Sequence, residues 1–451
     1  MAPSVEDCKQ RETEPWGKQR TESGTRRLDP VKILVLGNGA REHAIITALL
    51  REDDLEIVCA GGNGGIARQV RVVDLDPVDG AAVAAFASDE SFDLVVIGPE
   101  APLVAGVADA VREAGVAVFG PSAAAARLEG SKSFAKRIMA EANVPTGAVT
   151  RVTTVEEADA AMDASGAPWV LKADGLAAGK GVIVTDDRDA ALQHAQTYLA
   201  EGPILVEEFL EGPEVSLFFF ADGESVVPLA PAQDFKRLRD GDEGPNTGGM
   251  GAYSPLPWLA DRFGSEAAFV DEVRSTIAEP TIRQMAKEGT PFSGLLYCGL
   301  ILTDAGIRVI EFNARFGDPE TQVVLPRLVS PLSEAMFAAA TGSLGSLPPL
   351  EFDSGAAVTV VLASEGYPEA PITGRYLAGF DGASGVEGIT LIHAATKKDG
   401  YQWFATGGRV LNVVGQGATI ADARARAYEA LGHIDLQGGQ YRTDIAERAG
   451  Q

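Results

Sequence analysis

The run Val309-Ile310-Glu311-Phe312-Asn313-Ala314-Arg315-Phe316-Gly317-Asp318-Pro319-Glu320-Thr321 gathers an acid, an amide and a guanidinium at the end of an apolar stretch. Read as a strand, its two-residue period sends Glu311, Asn313 and Arg315 to one face, and Ile310 and Phe312 to the other, into a core. Two oxygen donors beside a fixed cation suit a metal–nucleotide site. Mg²⁺ is commonly held by one or two protein groups plus substrate phosphates, and a guanidinium can neutralise phosphoryl charge. The competing reading is a salt-bridged strand end.

Three further stretches could meet a nucleotide. Lys172-Ala173-Asp174-Gly175-Leu176-Ala177-Ala178-Gly179-Lys180-Gly181 reads as a flexible loop between two strands, with a lysine near each end. It is not a P-loop, because Gly181 stands where that motif needs a hydroxyl. Glycines let a backbone approach closely and lysines are compact charges, so a lid over a triphosphate is expected, with a solvated hairpin as the alternative. Ile204 to Leu210 is an apolar strand running into Glu207 and Glu208, then Phe209 and Leu210, with Glu214 after a Gly-Pro turn. Such an edge can bond adenine and ribose, although an exposed acidic strand end explains it equally well. In Gly37-Asn38-Gly39-Ala40-Arg41-Glu42-His43 the third glycine of a dinucleotide fingerprint is replaced by Glu42, which disfavours NAD and leaves a small phosphorylated ligand or a plain turn.

The elements that would hold these residues follow from periodicity. Apolar strands over 31–36, 57–60, 94–97 and 116–119 alternate with helical stretches, which predicts a doubly wound parallel sheet. The loops Gly37 to Gly39, Gly61 to Gly65 and Gly98 to Glu100 then share the ligand-binding rim. From 132 to 342 the pattern becomes α+β, with a lid subdomain expected at about 150–225. The stretch 343–349 reads as a linker or bend, and strands at 357–363 and 409–414 with a helix at 420–431 predict a small C-terminal α+β domain over 343–451. Residues 1–30 carry six acidic and six basic groups with almost no aliphatic side chains, and a disordered tail is the expectation. A net charge of -26 over 451 residues argues against nucleic acid. No apolar run reaches membrane-spanning length, and the scattered Cys8, Cys59 and Cys298 form no disulfide framework, so a cytoplasmic protein is expected. His43, His194, His393 and His433 are too dispersed in sequence to suggest a zinc cluster.

Taken in order, these motifs resemble those of the ATP-grasp enzymes, and among them the phosphoribosylamine–glycine ligase family, over about residues 31–445. Further marks are Gly98-Pro99-Glu100-Ala101-Pro102-Leu103, Leu128-Glu129-Gly130-Ser131-Lys132 and Pro245-Asn246-Thr247-Gly248-Gly249-Met250-Gly251-Ala252-Tyr253-Ser254-Pro255. The resemblance implies an N-terminal phosphoribosylamine-binding domain (31–131), an ATP-grasp domain with a mobile lid (132–342) and the small C-terminal domain. It implies ligation of glycine to 5-phosphoribosylamine with ATP and Mg²⁺ or Mn²⁺, in purine biosynthesis, with small-molecule substrates and no obligate protein partner. Lys132, Lys172, Gly175, Gly179, Lys180 and Gly181 would meet ATP phosphates. Glu207, Glu208, Phe209 and Leu210 would form the adenine hinge, with Glu214 on the ribose. Glu311 and Asn313 would bind the metal, and Arg315, Lys172 and Asp318 would be catalytic. Gly39, Arg41, Glu42, Asn63 and Glu100 would hold phosphoribosylamine, while Asp234, Lys236, Thr247, Gly248, Gly249 and Arg315 would line the amino-acid site. Two departures stand out. Phe235 replaces an expected histidine, and 293–300 lacks the second metal-binding acid that many ATP-grasp enzymes carry.

Overall fold

The computed structural model describes residues 30–176 and 181–449. The expectations for the N-terminal tail and for Gly179 and Lys180 fall outside them. Strands β1 (Val31–Gly37), β2 (Leu55–Gly61), β3 (Arg71–Val73), β4 (Leu94–Ile97) and β5 (Ala117–Phe119) form a parallel sheet in the order β3-β2-β1-β4-β5. The continuous apolar run of β1 is what a strand covered on both faces requires: Ile33 and Val35 enter one core, Leu34 and Leu36 the other. Edge strand β3 escaped the sequence pattern because it is three residues long and mostly exposed. The chain reverses its winding between β1 and β4, so the glycine loops that follow these two strands flank the switch point.

A separate antiparallel sheet, in the order β6-β9-β7-β8, joins β6 (Val149–Val152), β7 (Trp169–Ala173), β8 (Val182–Thr185) and β9 (Ile204–Glu207). Helices Val155–Ser165 and Arg188–Leu199 cover it, and Val152, Met162, Leu171, Ala191, Ile204 and Val206 form a core of its own. The next strand, β10 (Glu214–Asp222), leaves that sheet. It pairs with β11 (Val226–Pro228) on one side and with Ser293–Thr303 on the other, and Ser293–Thr303 in turn pairs with Gly306–Asn313.

The C-terminal strands Ala356–Ala363 and Arg409–Gly417 and the helix Ile420–Leu431 lie close to where the sequence predicts them. Their sheet, however, continues into the middle of the chain: Gly251–Ser254 pairs with Ala356–Ala363, and Gln233–Asp234 pairs with Gly251–Ser254. The proposed bend at 343–349 is pinned, since Leu344 is buried and its N–H donates to Asp222 Oδ2 at 3.0 Å.

Candidate active site

A cleft of about 450 Å³ opens where the parallel sheet, the β6-β9-β7-β8 sheet of the expected lid (the lid sheet below) and the two later sheets meet. Glu311, Asn313 and Arg315 all line it. The pairing of Gly306–Asn313 with Ser293–Thr303 shifts between Gly299↔Glu311 and Leu300↔Val309, which leaves Ile310 without a partner. This bulge corrects the simple alternation: Ile310 and Phe312 both border the cleft, although Phe312 is also buried in the core, and the Ile310 carbonyl accepts a bond from Lys172 Nζ at 3.3 Å. Opposite Glu311 stands Gly299, where an added Cβ would lie 3.3 Å from Glu311 Cγ.

Arg315 lies just beyond that strand. Its Nη2 meets Glu129 at 2.9 Å and its Nε meets Glu100 at 3.3 Å. Burial opposes the charge, but Glu129 and then Glu100 outweigh it, so the guanidinium pKa is raised. Glu129 also accepts the Ala314 N–H at 2.7 Å. Its own pKa is raised by burial, against the pull of Arg315. Sequence reasoning quoted Glu129 within a motif but gave it no role, because its signal is spatial.

Lys172 is not a loop residue. It belongs to β7, is 5% exposed, and meets Glu207 at the end of β9 at 2.9 Å. Lys136, which the sequence did not single out, meets the same carboxylate at 3.0 Å. Burial pushes the Glu207 pKa up, yet the two ammonium groups prevail and the net shift is downward. Lys132 opens the helix Lys132–Glu141 and donates to Gly175 O at 2.9 Å. Burial lowers its pKa, with Glu311 opposing and Lys172 adding to the shift. Gly181 lines the cleft, whereas Glu208, Phe209, Leu210 and Glu214 do not. Glu208 accepts the Ala148 N–H at 2.9 Å, and Phe209 is exposed.

On the opposite wall Lys236 forms a close ion pair with Glu214 and lies 3.6 Å from Asp234. Burial pushes Asp234 up to about 7, with Lys236 opposing. Tyr297 donates to Glu320 at 2.6 Å, and both residues line the cleft. Phe235, in place of histidine, packs on the core under the Arg442 guanidinium. Thr247, Gly248 and Asp318 complete this wall; Gly249 does not line it.

The residues from the parallel sheet divide into two groups. Arg41 and Glu100 line the cleft. Gly39, Glu42 and Asn63 do not, and shape loops instead. The Glu42 carboxylate accepts the Gly39 N–H at 2.6 Å and fills the space that Gly37 and Gly98 leave empty, where any Cβ would collide with it. The loop expected to receive a phosphate thus holds a protein carboxylate. Asn63 donates to Asn38 O and His393 O, each at 2.9 Å.

Among the described residues no group of three or more His, Cys, Asp and Glu side chains is arranged to hold a metal. Glu311 and Asn313 still fit Mg²⁺, which needs few protein oxygens when phosphates complete its shell.

Family models describing the N domain, the ATP-grasp (A) domain and the C domain of phosphoribosylglycinamide synthetase match residues 31–129, 130–321 and 357–448. A phosphoribosylamine–glycine ligase of Leifsonia xyli subsp. xyli is 66% identical, covering 93% of this chain and 100% of its own. One from Streptomyces coelicolor is 56% identical, over 93% and 99%. The crystal structure of the Thermotoga maritima phosphoribosylamine–glycine ligase superposes with a TM-score of 0.77 at 32% identity, covering 92% of this chain and 100% of that one. A biotin carboxylase domain from Hydrogenobacter thermophilus, at 18% identity and a TM-score of 0.67 over 93% and 97%, shares the fold alone. Domain models spanning most of the chain and close relatives matched over their full length agree: the chain belongs to the phosphoribosylglycinamide synthetase family, with its N, ATP-grasp and C domains.

Proposed function

We propose that the chain ligates glycine to 5-phosphoribosylamine at the expense of ATP, giving glycinamide ribonucleotide, ADP and phosphate, as a cytoplasmic enzyme of purine biosynthesis acting on small molecules. The observation that carries this reading is the convergence on one cleft of Lys132, Lys172, Glu311, Asn313 and Arg315 with Arg41 and Glu100 from the parallel sheet. A carboxylate does not react with an amine at neutral pH until one oxygen becomes a good leaving group. Transfer of the γ-phosphoryl group of ATP to glycine forms glycyl phosphate and ADP. The amine of phosphoribosylamine then attacks the acyl carbon, the amide bond forms, and phosphate leaves.

Positioning and electrostatic stabilisation suffice for this chemistry. Lys132 and Lys172 neutralise phosphate oxygens, with Gly175 and Gly181 beside them in the cleft and Gly179 and Lys180 carried from the resemblance as further phosphate contacts. Glu207 anchors both Lys172 and Lys136 at the adenine end, where Glu208, Phe209 and Leu210 follow as the hinge and Glu214 serves the ribose. Arg315, kept charged by Glu129 and Glu100, steadies the anionic transition state. Asp318, on the turn after it and in the wall of the same cleft, completes the catalytic set with Arg315 and Lys172. Asp234, Lys236 and the Thr247–Gly249 loop receive glycine; Arg41 and Glu100 receive phosphoribosylamine, on loops shaped by Gly39, Glu42 and Asn63. Glu311 and Asn313 would hold Mg²⁺ or Mn²⁺, which when bound supplies charge neutralisation of the phosphates. Lid closure excludes water that would hydrolyse the acyl phosphate.

The test uses glycine labelled with oxygen-18 in its carboxylate, together with freshly made phosphoribosylamine. One labelled oxygen should appear in the released phosphate. Labelled AMP with unlabelled phosphate would overturn the acyl-phosphate route, and no glycine-dependent ATP turnover would overturn the ligase reading.

A further inference from the structure

Two residues from the C-terminal segment reach the cleft and take no part in the chemistry above: Arg409 and Tyr367. Arg409 begins the strand Arg409–Gly417, whose pairing with Ala356–Ala363 shifts between Leu362↔Leu411 and Ala363↔Arg409. Val410 is the extra residue. Bulges re-aim side chains, and this one accompanies a guanidinium that spans two chain segments at once. Arg409 Nη1 donates to Gly248 O at 2.5 Å and to Asp318 O at 2.7 Å, and its Nη2 meets Asp318 Oδ2 at 3.0 Å. Tyr367 completes the clamp from the other side, its hydroxyl accepting the Gly248 N–H at 2.9 Å. Both polar groups of the Gly248 peptide backbone are therefore tied to the C-terminal segment. Gly249 has φ +107°, and a Cβ there would lie 2.4 Å from Pro319, so the loop and the Asp318 turn pack directly on each other.

We infer that Arg409 and Tyr367 are positioning residues for the amino-acid subsite: they lock the Thr247–Gly249 loop against the Asp318 turn and set its affinity for glycine. The inference rests on the assignment of that loop to glycine under the proposed function. A guanidinium is needed because three acceptors at different bearings must be met by one rigid fork, which an ammonium cannot supply. The hydroxyl is needed only as an acceptor.

The experiment is steady-state kinetics of the full chain, varying glycine, ATP and phosphoribosylamine in turn, for Tyr367→Phe, Arg409→Lys and Arg409→Met. Tyr367→Phe removes one hydrogen-bond acceptor and should raise the KM for glycine about threefold to tenfold, leaving the KM for ATP within about twofold. Arg409→Lys should not rescue: it should raise the glycine KM by about tenfold or more, and Arg409→Met further still. Parallel loss across all three substrates in the folded Tyr367→Phe variant would mark a merely structural role and overturn the inference. So would an unchanged glycine KM in Tyr367→Phe and Arg409→Lys. A parent protein that releases no phosphate in response to glycine would instead overturn the ligase reading, and the inference with it, so the two failures are told apart by the parent's own trace.

Discussion

The lid sheet and the C-terminal sheet both border the cleft, yet they are attached to the molecule by different kinds of bond. The lid has its own apolar core, and the contacts that tie it to the cleft are polar: Lys172 to Ile310 O, Lys136 to Glu207, Lys132 to Gly175 O, and Ser131 Oγ to Asp174 at 3.1 Å. The C-terminal sheet is welded by a backbone ladder to Gly251–Ser254, and Val358, Val360, Leu362, Leu411 and Val413 share one core with the middle of the chain. Polar contacts can be exchanged for water or ligand at little net cost, whereas a sheet ladder cannot be opened without stranding several buried donors and acceptors. The lid sheet is thus a small body with a charged underside, and the C-terminal sheet is built into a neighbour's sheet.

The sharpest way to break the contrast is Val360→Pro. Val360 pairs with Gly251 on one side and Val413 on the other, so proline there removes a ladder bond in a central strand and should cost about 3 kcal/mol or more. Thermal unfolding should move strongly, and glycine-dependent turnover should vanish with it. Leu171→Ala, in the fully buried lid core, should cost about 2–5 kcal/mol locally. Hydrogen exchange should quicken across 149–207 while amides of Ala356–Ala363 keep their protection; equal loss in both sheets would show that the lid is not a separate unit.

Lys172→Met should weaken ATP binding by about tenfold or more in calorimetry, because a charge-assisted contact is lost. Its effect on melting should be small, because Glu207 keeps Lys136 at 3.0 Å. The smallest effect concerns acid. His43, on the helix Ala40–Leu49, accepts the His393 N–H at 2.8 Å, and burial lowers the two rings to about 4 and about 3. Above pH 6.5 both the folded and the unfolded chain hold neutral imidazoles. Below it the unfolded chain takes up protons that the folded one refuses, so stability falls as pH drops from 6.5 toward 4. His43 alone should account for about 1 kcal/mol between pH 6.5 and 5.5. Denaturant midpoints of His43→Gln should decline less steeply than the parent's over that interval.

Much of this was legible in the sequence. The parallel sheet declared itself through unbroken apolar runs, and the cluster from Glu311 to Arg315 through its residue types. What local pattern could not supply was pairing at a distance. Nothing near Tyr253 says that it will face Val358, more than a hundred residues away, so the ladder joining the C-terminal domain to Gly251–Ser254 could not be read from local pattern. The bulge at Ile310 was hidden for a similar reason: it is a mismatch between two strands, and neither strand records it alone. Lys172 was placed on a loop because glycines follow it, but its neighbours Val170 and Leu171 already fix it on β7. Lys136, Glu129, Tyr367 and Arg409 carry ordinary surface residue types, and only the fold makes them neighbours of the site.

The carboxylate of Glu42 has a consequence for which ligands the first glycine loop can take. Tethered one helical turn from Gly39, it acts as an internal competitor at an effective concentration on the order of millimolar or more. A free phosphate or a dinucleotide would have to displace a carboxyl group that never diffuses away and already fills the hollow between Gly37 and Gly98. The loop is therefore filled from within the chain before any ligand arrives, and the neighbouring open wall of the cleft is formed by Arg41 and Glu100.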